Sequence, residues 1–505
     1  MTATPALRLE GITKRFGATL ANEDVSIELG RGEVLALLGE NGAGKTTLMN
    51  ILFGHYMPDA GRVLVDGQEL PPGRPRAAIR AGVGMVHQHF ALAPNLTVLE
   101  NVVAGTEPLL AWRSARRAAR RKLADLAERF GLAVDPDARV ADLSVGERQR
   151  VEILKGLYND ARVLILDEPT AVLTQGEGER LFATLRRMAA GGLSLIFISH
   201  KLGEVLGAAD RIVVLRAGRV VAERRAAETT KDELAELMVG RRVARPKREG
   251  ADVGAVVAEA SGVDLTLGGV RRLTGVSFAV RSGETLGIIG VSGNGQAALA
   301  RLLSGLAAPD RGSLRILAQD AGRLGARALV EARVGRIPED RNADGAVGDL
   351  PIWENAVLER VREPRFSRLG FVRRGAARRF ADELIRRFDL RGGTPDSRTR
   401  LLSGGNMQKL IFGRNLDRVP RLLVAAQPTR GLDEGAIAAV HGEILEARRQ
   451  GAAVILISED LDEVLALSDR VQAIHKGRLG PSVPADTLDA RALGLMMAGE
   501  WERAA

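Results

Sequence analysis

The sequence of 505 residues predicts an α/β fold that is present in two tandem copies. Two observations support this prediction. Short aliphatic runs such as EVLALL and RVLILD alternate with longer stretches of helical character, a pattern typical of buried parallel strands joined by helices. In addition, the two halves align almost without gaps: GENGAGKTT at residues 39–47 corresponds to GVSGNGQAA at residues 290–298. A repeat of this length indicates two related domains.

The amino-acid composition excludes several kinds of site and limits the kinds of partner. The chain contains no cysteine, which excludes disulfides, cysteine-ligated metal sites and a thiol nucleophile. No apolar run approaches the roughly 18 residues of a transmembrane helix, and the start MTATPALRLE lacks the pattern of a signal peptide, so we expect a globular cytosolic chain. The net charge of +9 would suit nucleic acid or an anionic membrane surface. An aromatic content of 3% disfavours a protein that stacks single-stranded bases.

The internal alignment also predicts where the domains begin and end. It continues from Gly39 and Gly290 to Gly240 and Gly499, and the extra residues of the second half fall between about residues 335 and 402. A segment that tolerates such a change in length is expected to be peripheral. The join, RRVARPKREGADVG, is polar, charged and proline-bearing, which is typical of a surface linker. We therefore predict a first domain over residues 5–243, a linker over 244–255 and a second domain over 256–501.

The first half carries a phosphate-binding motif. Residues 39–46 fit the pattern G-x-x-x-x-G-K-[ST] and lie between the apolar strand EVLALL and the helical stretch TTLMNILFG, as a P-loop requires. In such a loop, backbone N–H groups surround the phosphates, Lys45 reaches the β- and γ-phosphates and the Thr46 hydroxyl ligates Mg²⁺. The predicted nucleotide contacts in this loop are Gly39, Glu40, Asn41, Gly42, Ala43, Gly44, Lys45, Thr46 and Thr47.

A pair of carboxylates supports the same chemistry. The predicted strand RVLILDEPT ends in Asp167 and Glu168. Asp167 can hold the Mg²⁺ shell, and Glu168 can orient or deprotonate the attacking water. Two carboxylates that merely end a strand are common in general. After a P-loop at this separation, however, the catalytic interpretation is favoured, so we predict hydrolysis of a nucleotide.

Three further motifs make the pattern specific. Gln88 follows an apolar strand, LSVGERQR occupies residues 143–150, and Ser199 with His200 closes the strand LSLIFIS. Together with the P-loop and ILDEP, this set resembles the nucleotide-binding domain of ATP-binding cassette (ABC) proteins, and the resemblance covers nearly the whole chain twice. It implies P-loop NTPase domains that bind ATP and Mg²⁺, each with a RecA-like, mostly parallel sheet, an antiparallel β part and a helical subdomain.

The resemblance also assigns roles to residues outside the P-loop. It implies that Gln88 senses Mg²⁺, the attacking water and a transmembrane partner, and that His200 contacts the γ-phosphate. Phe16 matches the aromatic residue that stacks on adenine in this family, although a lone phenylalanine at this position is equally typical of a core residue. Thr174 stands where the family usually has an aspartate, and we have no interpretation of this difference.

The second half has lost the catalytic groups. Four replacements remove a positive charge, an oxygen ligand or a proton acceptor, and the other two, Glu339 and Glu459, would place negative charge near where a γ-phosphate would lie. Because the glycines at 290, 293 and 295 remain, we expect the backbone cradle to persist. We predict that this half hydrolyses no ATP and binds nucleotide weakly or not at all. Lys45, Thr46, Gln88, Asp167, Glu168 and His200 correspond in turn to Gln296, Ala297, Glu339, Ala426, Gln427 and Glu459.

The second half nevertheless keeps an intact signature motif. LSGGNMQK retains both glycines, whereas the first half has Val145 at the corresponding position. In the ABC family two domains meet head to tail, and each signature motif completes the P-loop site of the other. The resemblance therefore implies one working site, in which Ser403, Gly404 and Gly405 contact the γ-phosphate of ATP held by the first half. The other site would be silent.

Details of the motifs favour one group within the family. Two fused cassettes without membrane spans, the second of them degenerate, resemble the ATPase subunits of bacterial importers for monosaccharides and nucleosides. The runs GVSGNGQ, IPEDRNADGAV and AAQPTRGLD resemble the nucleoside group more closely than the ribose or galactose group. The resemblance implies two transmembrane permease subunits, an extracytoplasmic solute-binding protein and a peripheral location on the cytoplasmic side of the cell membrane. Sugar import is the alternative.

Other interpretations remain for parts of the chain. The basic stretch 113–130 is expected to be a helix, either solvated or facing lipid or a partner. The loops at Gln88 and Glu339 and the segments 89–142 and 340–400 are where we expect the permeases to dock. A ribosome- or nucleic-acid-associated protein is the remote alternative, but the short linker and the degenerate second site disfavour it, so no nucleic-acid partner is expected. Intact catalytic residues also argue against a scaffold that binds ATP without hydrolysing it.

Overall fold

The computed structural model describes most of the chain, in two compact units. The first unit comprises Met1–Val243 and Asp433–Gly435, and the second comprises Ala244–Leu432 and Ala436–Ala505. Among the described residues, no helix has the length and apolar character needed to cross a membrane. The structure describes residues 4–17, 19–87, 90–106, 116–170, 173, 175–199, 201–240, 246 and 248–501.

The first unit alternates strands and helices along the chain. Its strands are β1 (Leu7–Phe16), β2 (Thr19–Leu29), β3 (Val34–Leu38), β4 (Ala60–Val65), β5 (Gln68–Glu69), β6 (Val83–Val86), β7 (Val163–Asp167), β8 (Ser194–Ile198), β9 (Arg211–Arg216) and β10 (Arg219–Arg225). Its α-helices are α1 (Lys45–Phe53), α2 (Pro75–Arg80), α3 (Val98–Val103), α4 (Arg116–Phe130), α5 (Val145–Tyr158), α6 (Gln175–Ala190), α7 (Leu202–Ala208) and α8 (Lys231–Val239).

Two sheets organise this unit. The six-stranded sheet has the order β10-β9-β3-β8-β7-β6 and is parallel except for β10. Its strands β3, β6, β7 and β8 are buried at every residue, which explains why they are continuous apolar runs instead of alternating ones. The second sheet, β2-β1-β4-β5, is antiparallel. The α/β class predicted from the sequence is therefore confirmed.

The predicted basic helix in the first unit is α4. Of the stretch 113–130, residues 113–115 lie outside the described residues, and the helix runs from Arg116 to Phe130. Only Ala119 and Leu123 are buried, and they join a core that α3 and α5 also supply. Most of its basic residues are exposed, with Arg120 paired to Asp137. Within this unit, α4 is a surface helix held by one narrow apolar face.

The second unit repeats this order of elements. Its strands are β11 (Val256–Leu267), β12 (Val270–Arg281), β13 (Thr285–Ile289), β14 (Arg311–Ile316), β15 (Gln319–Asp320), β16 (Val334–Ile337), β17 (Ser367–Arg368), β18 (Phe371–Val372), β19 (Leu422–Ala426), β20 (Ala453–Ser458), β21 (Arg470–His475), β22 (Arg478–Leu479) and β23 (Val483–Pro484). Its α-helices are α9 (Gln296–Leu303), α10 (Ala326–Glu331), α11 (Ile352–Val357), α12 (Arg374–Arg387), α13 (Gly404–Leu416), α14 (Glu434–Arg449), α15 (Leu461–Leu467) and α16 (Ala490–Met497).

The sheets of the second unit match those of the first. The main sheet has the order β16-β19-β20-β13-β21-β22, with β16 to β21 parallel, and the strands β12-β11-β14-β15 form an antiparallel sheet. Equivalent ion pairs brace the two main sheets: Arg211 contacts Glu33 at 2.7 Å, and Arg470 contacts Glu284 at 2.5 Å. The variable segment of this half holds α11, α12 and the short hairpin β17–β18.

Candidate functional site

The glycine-rich loop of the first unit joins β3 to α1. Gly42 and Gly44 have φ values of 85° and 97°, in the left-handed region that favours glycine. A Cβ atom on Gly44 would lie 2.2 Å from the carbonyl oxygen of Ala21, so no other residue fits without displacing the backbone. Gly44 also caps α1 and has no side chain to accept a hydrogen bond from the first N–H groups of the helix. A helix N-terminus of this kind is suited to an anion.

Lys45 lies across this loop. Its side chain is 7% exposed, and its Nζ atom donates hydrogen bonds to the carbonyl oxygens of Gly39 at 2.7 Å and Glu40 at 2.9 Å. Burial lowers the pKa of the ammonium group, while the charges of Glu168 and Asp167 act in the opposite direction. An anionic ligand in the loop would therefore offset the cost of keeping this ammonium group charged.

Thr46 and Asp167 meet in the folded chain. Thr46 lies beside the Asp167 carboxylate at the end of β7, where its hydroxyl acts to lower the pKa of that carboxyl. Burial, followed by the neighbouring charge of Glu168, raises the pKa of Asp167 to about 6. Two hard oxygen atoms beside a phosphate-sized cradle are the ligands that Mg²⁺ takes from proteins. These residues fit the metal that the sequence motifs imply, because a bound cation would favour the ionised carboxylate.

Glu168 follows β7 in an unusual backbone conformation. Its φ is 46°, and its N–H group donates to the carbonyl oxygen of Ile198 at 3.1 Å. A left-handed conformation costs a residue other than glycine roughly 1 to 2 kcal/mol, so the surrounding sheet must hold it in place. Gln427 has the same geometry in the second unit, with a φ of 47° and a 2.7 Å bond from its N–H group to Ile457.

Phe16 is at the end of β1, and its side chain is 45% exposed. Its ring contacts the ring of Tyr56 edge to face, with centroids 5.5 Å apart, and the Lys14 ammonium lies 5.4 Å from its centroid. The alternative that Phe16 is a core residue is therefore wrong. Its stacking against adenine stays a prediction.

Three residues named by the sequence analysis, Gln88, Thr174 and His200, lie outside the described residues. The strands that lead to two of them are described: β6 ends at Val86 and β8 at Ile198. Their roles stay predictions.

The loop of the second unit keeps the backbone of the first. Gly293 and Gly295 have φ values of 85° and 115°, and Gly295 caps α9 as Gly44 caps α1. Gln296 is 5% exposed and its Nε2 atom donates to the carbonyl oxygen of Val291 at 2.8 Å, much as Lys45 bonds to Glu40. Its Oε1 atom is buried and has no hydrogen-bond partner within the described part of the chain. This side chain supplies no positive charge to a phosphate.

The other positions of the second site also differ from those of the first. Ala297 and Ala426 present no oxygen ligand from their side chains. Glu339 accepts a 2.5 Å hydrogen bond from Arg430, and the Gln427 side-chain oxygen lies 3.4 Å from the Glu459 N–H group. The backbone framework is thus retained while the ligands for Mg²⁺ and the proton acceptor are absent from these positions.

The signature motif of the second unit begins α13. Ser403 caps the helix, and its hydroxyl accepts hydrogen bonds from the Asn406 N–H at 3.4 Å and from Asn406 Nδ2 at 2.9 Å. Gly404 and Gly405 form its first turn. Sequence reasoning missed Arg341, although it quoted the run that contains it: a Cβ atom on Gly404 would lie 3.3 Å from the Arg341 guanidinium carbon. This arginine adds positive charge at the start of α13.

Sequence reasoning also missed a glutamate in each unit that links two segments; it is partly buried in the first unit and buried in the second. Glu204 Oε2 accepts hydrogen bonds from Thr170 at 2.7 Å and from Ser199 at 3.0 Å, so it links the segments that follow β7 and β8. Glu463 makes the equivalent bonds, to Thr429 at 2.8 Å and Ser458 at 2.6 Å. The internal alignment could have found this pair, because both glutamates and their partners occupy corresponding positions in the two halves.

Comparisons with known proteins give consistent matches. A family model described as ABC transporter matches residues 22–171 and 273–430. The chain is 43% identical to the nucleoside import ATP-binding protein NupA of Lactococcus lactis subsp. cremoris, over 98% of each chain. It is 42% identical to the glucose import ATP-binding protein TsgD13 of Haloferax volcanii, covering 99% of this chain and 96% of that one. It is also 42% identical to the guanosine import ATP-binding protein NupO of Bacillus subtilis, covering 99% and 98%.

Among solved structures, the chain is similar to one from the crystal structure of the archaeal ribosome recycling factor aABCE1 in complex with the ribosomal stalk protein aP1. The TM-score is 0.60 at 18% sequence identity, and the match covers 94% of this chain and 90% of that one. At this identity the likeness is one of fold alone.

Proposed function

Because the chain belongs to the ABC transporter family, we propose that it is the ATP-hydrolysing subunit of a solute importer and that the solutes are nucleosides. The family and the class of enzyme predicted from the sequence, an ABC-type ATPase, are confirmed by these matches. The observation that carries the proposal is the juxtaposition, in the first unit, of the glycine loop, Lys45, Thr46 and the two carboxylates at the end of β7.

The proposed site uses each of these groups differently. The amides of residues 39–47 and the Lys45 ammonium would hold the phosphates of ATP, and Thr46 and Asp167, with Gln88, would hold Mg²⁺. When bound, the cation offsets charge on the β- and γ-phosphates. Glu168 would orient the attacking water and accept its proton. Its left-handed backbone fixes where the carboxylate leaves β7.

We propose that the second loop stays silent and that the signature motif of the second half completes the first site. Ser403, Gly404 and Gly405 would contact the γ-phosphate, as the head-to-tail pairing of this family implies, and His200 would contact it from the first half. Support comes from the retained cap of α13 and from the chemistry of Gln296, which cannot replace a lysine. We also propose that the two domains span residues 5–243 and 256–501.

The partners follow from the importers that the chain resembles. We propose two transmembrane permease subunits, docked on the loops at Gln88 and Glu339 and on segments 89–142 and 340–400, with a solute-binding protein outside the membrane. The chain would then lie on the cytoplasmic side of the cell membrane. Nucleosides are favoured because two relatives over 40% identical, NupA and NupO, are named for nucleoside and guanosine import. Sugar import is the second candidate because TsgD13 is named for glucose import.

ATP hydrolysis by the reconstituted permease complex tests the proposal. The matched variants are Glu168→Gln in the first unit and Gln427→Glu at the equivalent backbone position in the second. We expect Glu168→Gln to lower turnover about a thousandfold, as loss of a key catalytic group does, and Gln427→Glu to leave it unchanged. Nucleosides and sugars are compared as stimulants of the wild-type complex.

The outcomes separate the parts of the proposal. Turnover that survives Glu168→Gln would contradict the single active site. If only sugars stimulate turnover, the chain is still the ATPase of an importer, but the imported solute is a sugar. Salt-sensitive binding of the purified chain to ribosomes would instead favour the remote alternative.

A further inference from the structure

The variable segment of the second unit ends in an exposed apolar tip. The strands β17 and β18 pair antiparallel, Ser367 with Val372 and Arg368 with Phe371, around a two-residue turn at Leu369 and Gly370. Leu369 is 90% exposed and Phe371 is 81% exposed. Within the described part of the chain, these are the two most exposed large apolar side chains. Exposure of this kind, concentrated in one small element, indicates a contact surface.

The base of this hairpin is firmly held. Phe366, directly before β17, is fully buried, and its ring centroid lies 5.2 Å from that of Phe380 in α12. The Arg373 N–H group donates to the carbonyl oxygen of Phe366 at 2.8 Å and closes the hairpin at its base. The tip is therefore presented by a packed base, and its exposure is not the result of a loose terminus.

The turn carries a residue that is poorly suited to it. Leu369 has a φ of 50°, and Gly370 has a φ of 83°. Two-residue hairpins with positive φ at both positions strongly favour asparagine or aspartate followed by glycine, because a leucine side chain is disfavoured there. An exposed leucine in this place serves neither the turn nor the core, so it points to a partner outside the unit.

The surroundings of the tip are strongly basic. Residues 362–379 contain seven arginines and one glutamate. All seven arginines are exposed, and Arg368 and Arg374, which flank the hairpin strands, pair with no carboxylate among the described residues. Apolar side chains surrounded by cations suit the interface of a membrane whose headgroups are negatively charged. They suit an apolar protein groove less well, because each buried arginine would then need its own acidic partner.

We propose that this basic hairpin, residues 365–374, inserts Leu369 and Phe371 into the anionic surface of a membrane. Two weak contributions, apolar insertion and attraction of several arginines to acidic headgroups, together give stable but reversible binding. The hairpin lies within segment 340–400, so in this proposal its tip contacts lipid while other residues of that segment dock on the permease. This contact requires neither ATP nor a permease, so an experiment can disprove it without disproving the proposed ATP site.

The absence of cysteine from the chain permits a direct test. Val372→Cys places a unique thiol beside the tip and keeps both Leu369 and Phe371. A polarity-sensitive fluorophore on this thiol of the full-length protein is expected to shift to shorter wavelength with vesicles containing phosphatidylglycerol, and not with vesicles of phosphatidylcholine alone. Val270→Cys is the matched control, because Val270 is 49% exposed at the start of β12 in the same unit and should give no shift.

Two sets of variants separate the apolar and charged contributions. Leu369→Asn with Phe371→Thr suits the turn and the strand better than the natural residues, so folding is retained while vesicle binding is lost. Arg368→Gln and Arg374→Gln are each expected to weaken binding about fivefold at low salt, and less at high salt.

The same label gives the result that would overturn the proposal. The proposal is wrong if the emission spectrum of the folded, labelled protein does not shift with anionic vesicles. The proposal is also wrong if the shift appears only with the detergent-solubilised permease, because the tip would then contact the permease instead of lipid.

Discussion

At the scale of single residues, burial and a neighbouring carboxylate change the protonation of Asp167. The pKa of this carboxyl is raised to about 6, because the group is buried and lies beside Glu168. In the nucleotide-free protein it therefore keeps its proton up to a higher pH than an exposed aspartate. A cation at this position needs the ionised form and must displace that proton.

We therefore expect the affinity for MgATP to decrease as the pH falls through about 6, approaching tenfold per pH unit below it. Above that pH the affinity should be constant, because the carboxylate is already ionised. Calorimetric titration of the full chain with MgATP between pH 5 and pH 8 measures this dependence.

Asp167→Asn is the control for this titration. It removes the carboxylate and should give weaker binding that no longer changes near pH 6. Equal pH dependence in the variant would assign the titrating proton to another group.

At the scale of elements, two helices begin with equivalent serine caps but have different proposed roles. Ser144 caps α5 in a capping box with Glu147: its hydroxyl accepts from the Glu147 N–H group at 3.3 Å, and Glu147 accepts from the Ser144 N–H group at 2.8 Å. Ser403 caps α13 through Asn406. Val145 follows Ser144 and is 39% exposed, where the second unit has Gly404.

Alanine at either serine is expected to lower the free energy of unfolding by about 1 kcal/mol, because each change removes a helix cap. Only Ser403→Ala should also slow ATP hydrolysis, since the other signature motif belongs to the silent site. Denaturant unfolding and steady-state ATP hydrolysis of the two variants make the comparison. Slower turnover in Ser144→Ala, measured under conditions in which the variant remains folded, would contradict the assignment.

The elements themselves were largely predictable. The helical stretch expected at TTLMNILFG corresponds to α1, and the strands expected at EVLALL and RVLILD are β3 and β7. Apolar periodicity determines such elements because each must bury its own side chains. The hairpin β17–β18 was not predicted. Its strands have two residues each, too few for a periodic pattern.

At the scale of the whole molecule, the two halves share a backbone and differ in chemistry. The chain should therefore trap one nucleotide per molecule when vanadate replaces the γ-phosphate during turnover, because only the first loop has Lys45, Asp167 and Glu168. Quantifying bound ADP in the reconstituted complex measures this number. Two trapped nucleotides per chain would mean that the second loop also supports the reaction.

The sequence by itself determined the repeat, the α/β class, the family and the loss of catalytic groups in the second half. These follow from the type and spacing of residues along the chain. Only the tertiary structure decided that Thr46 lies beside Asp167, that Glu204 joins the segments after β7 and β8, that Phe16 is exposed and that Leu369 lies at a basic tip. Such properties depend on which groups meet across long separations in the chain and on how much water each one loses, and neither is encoded in local spacing.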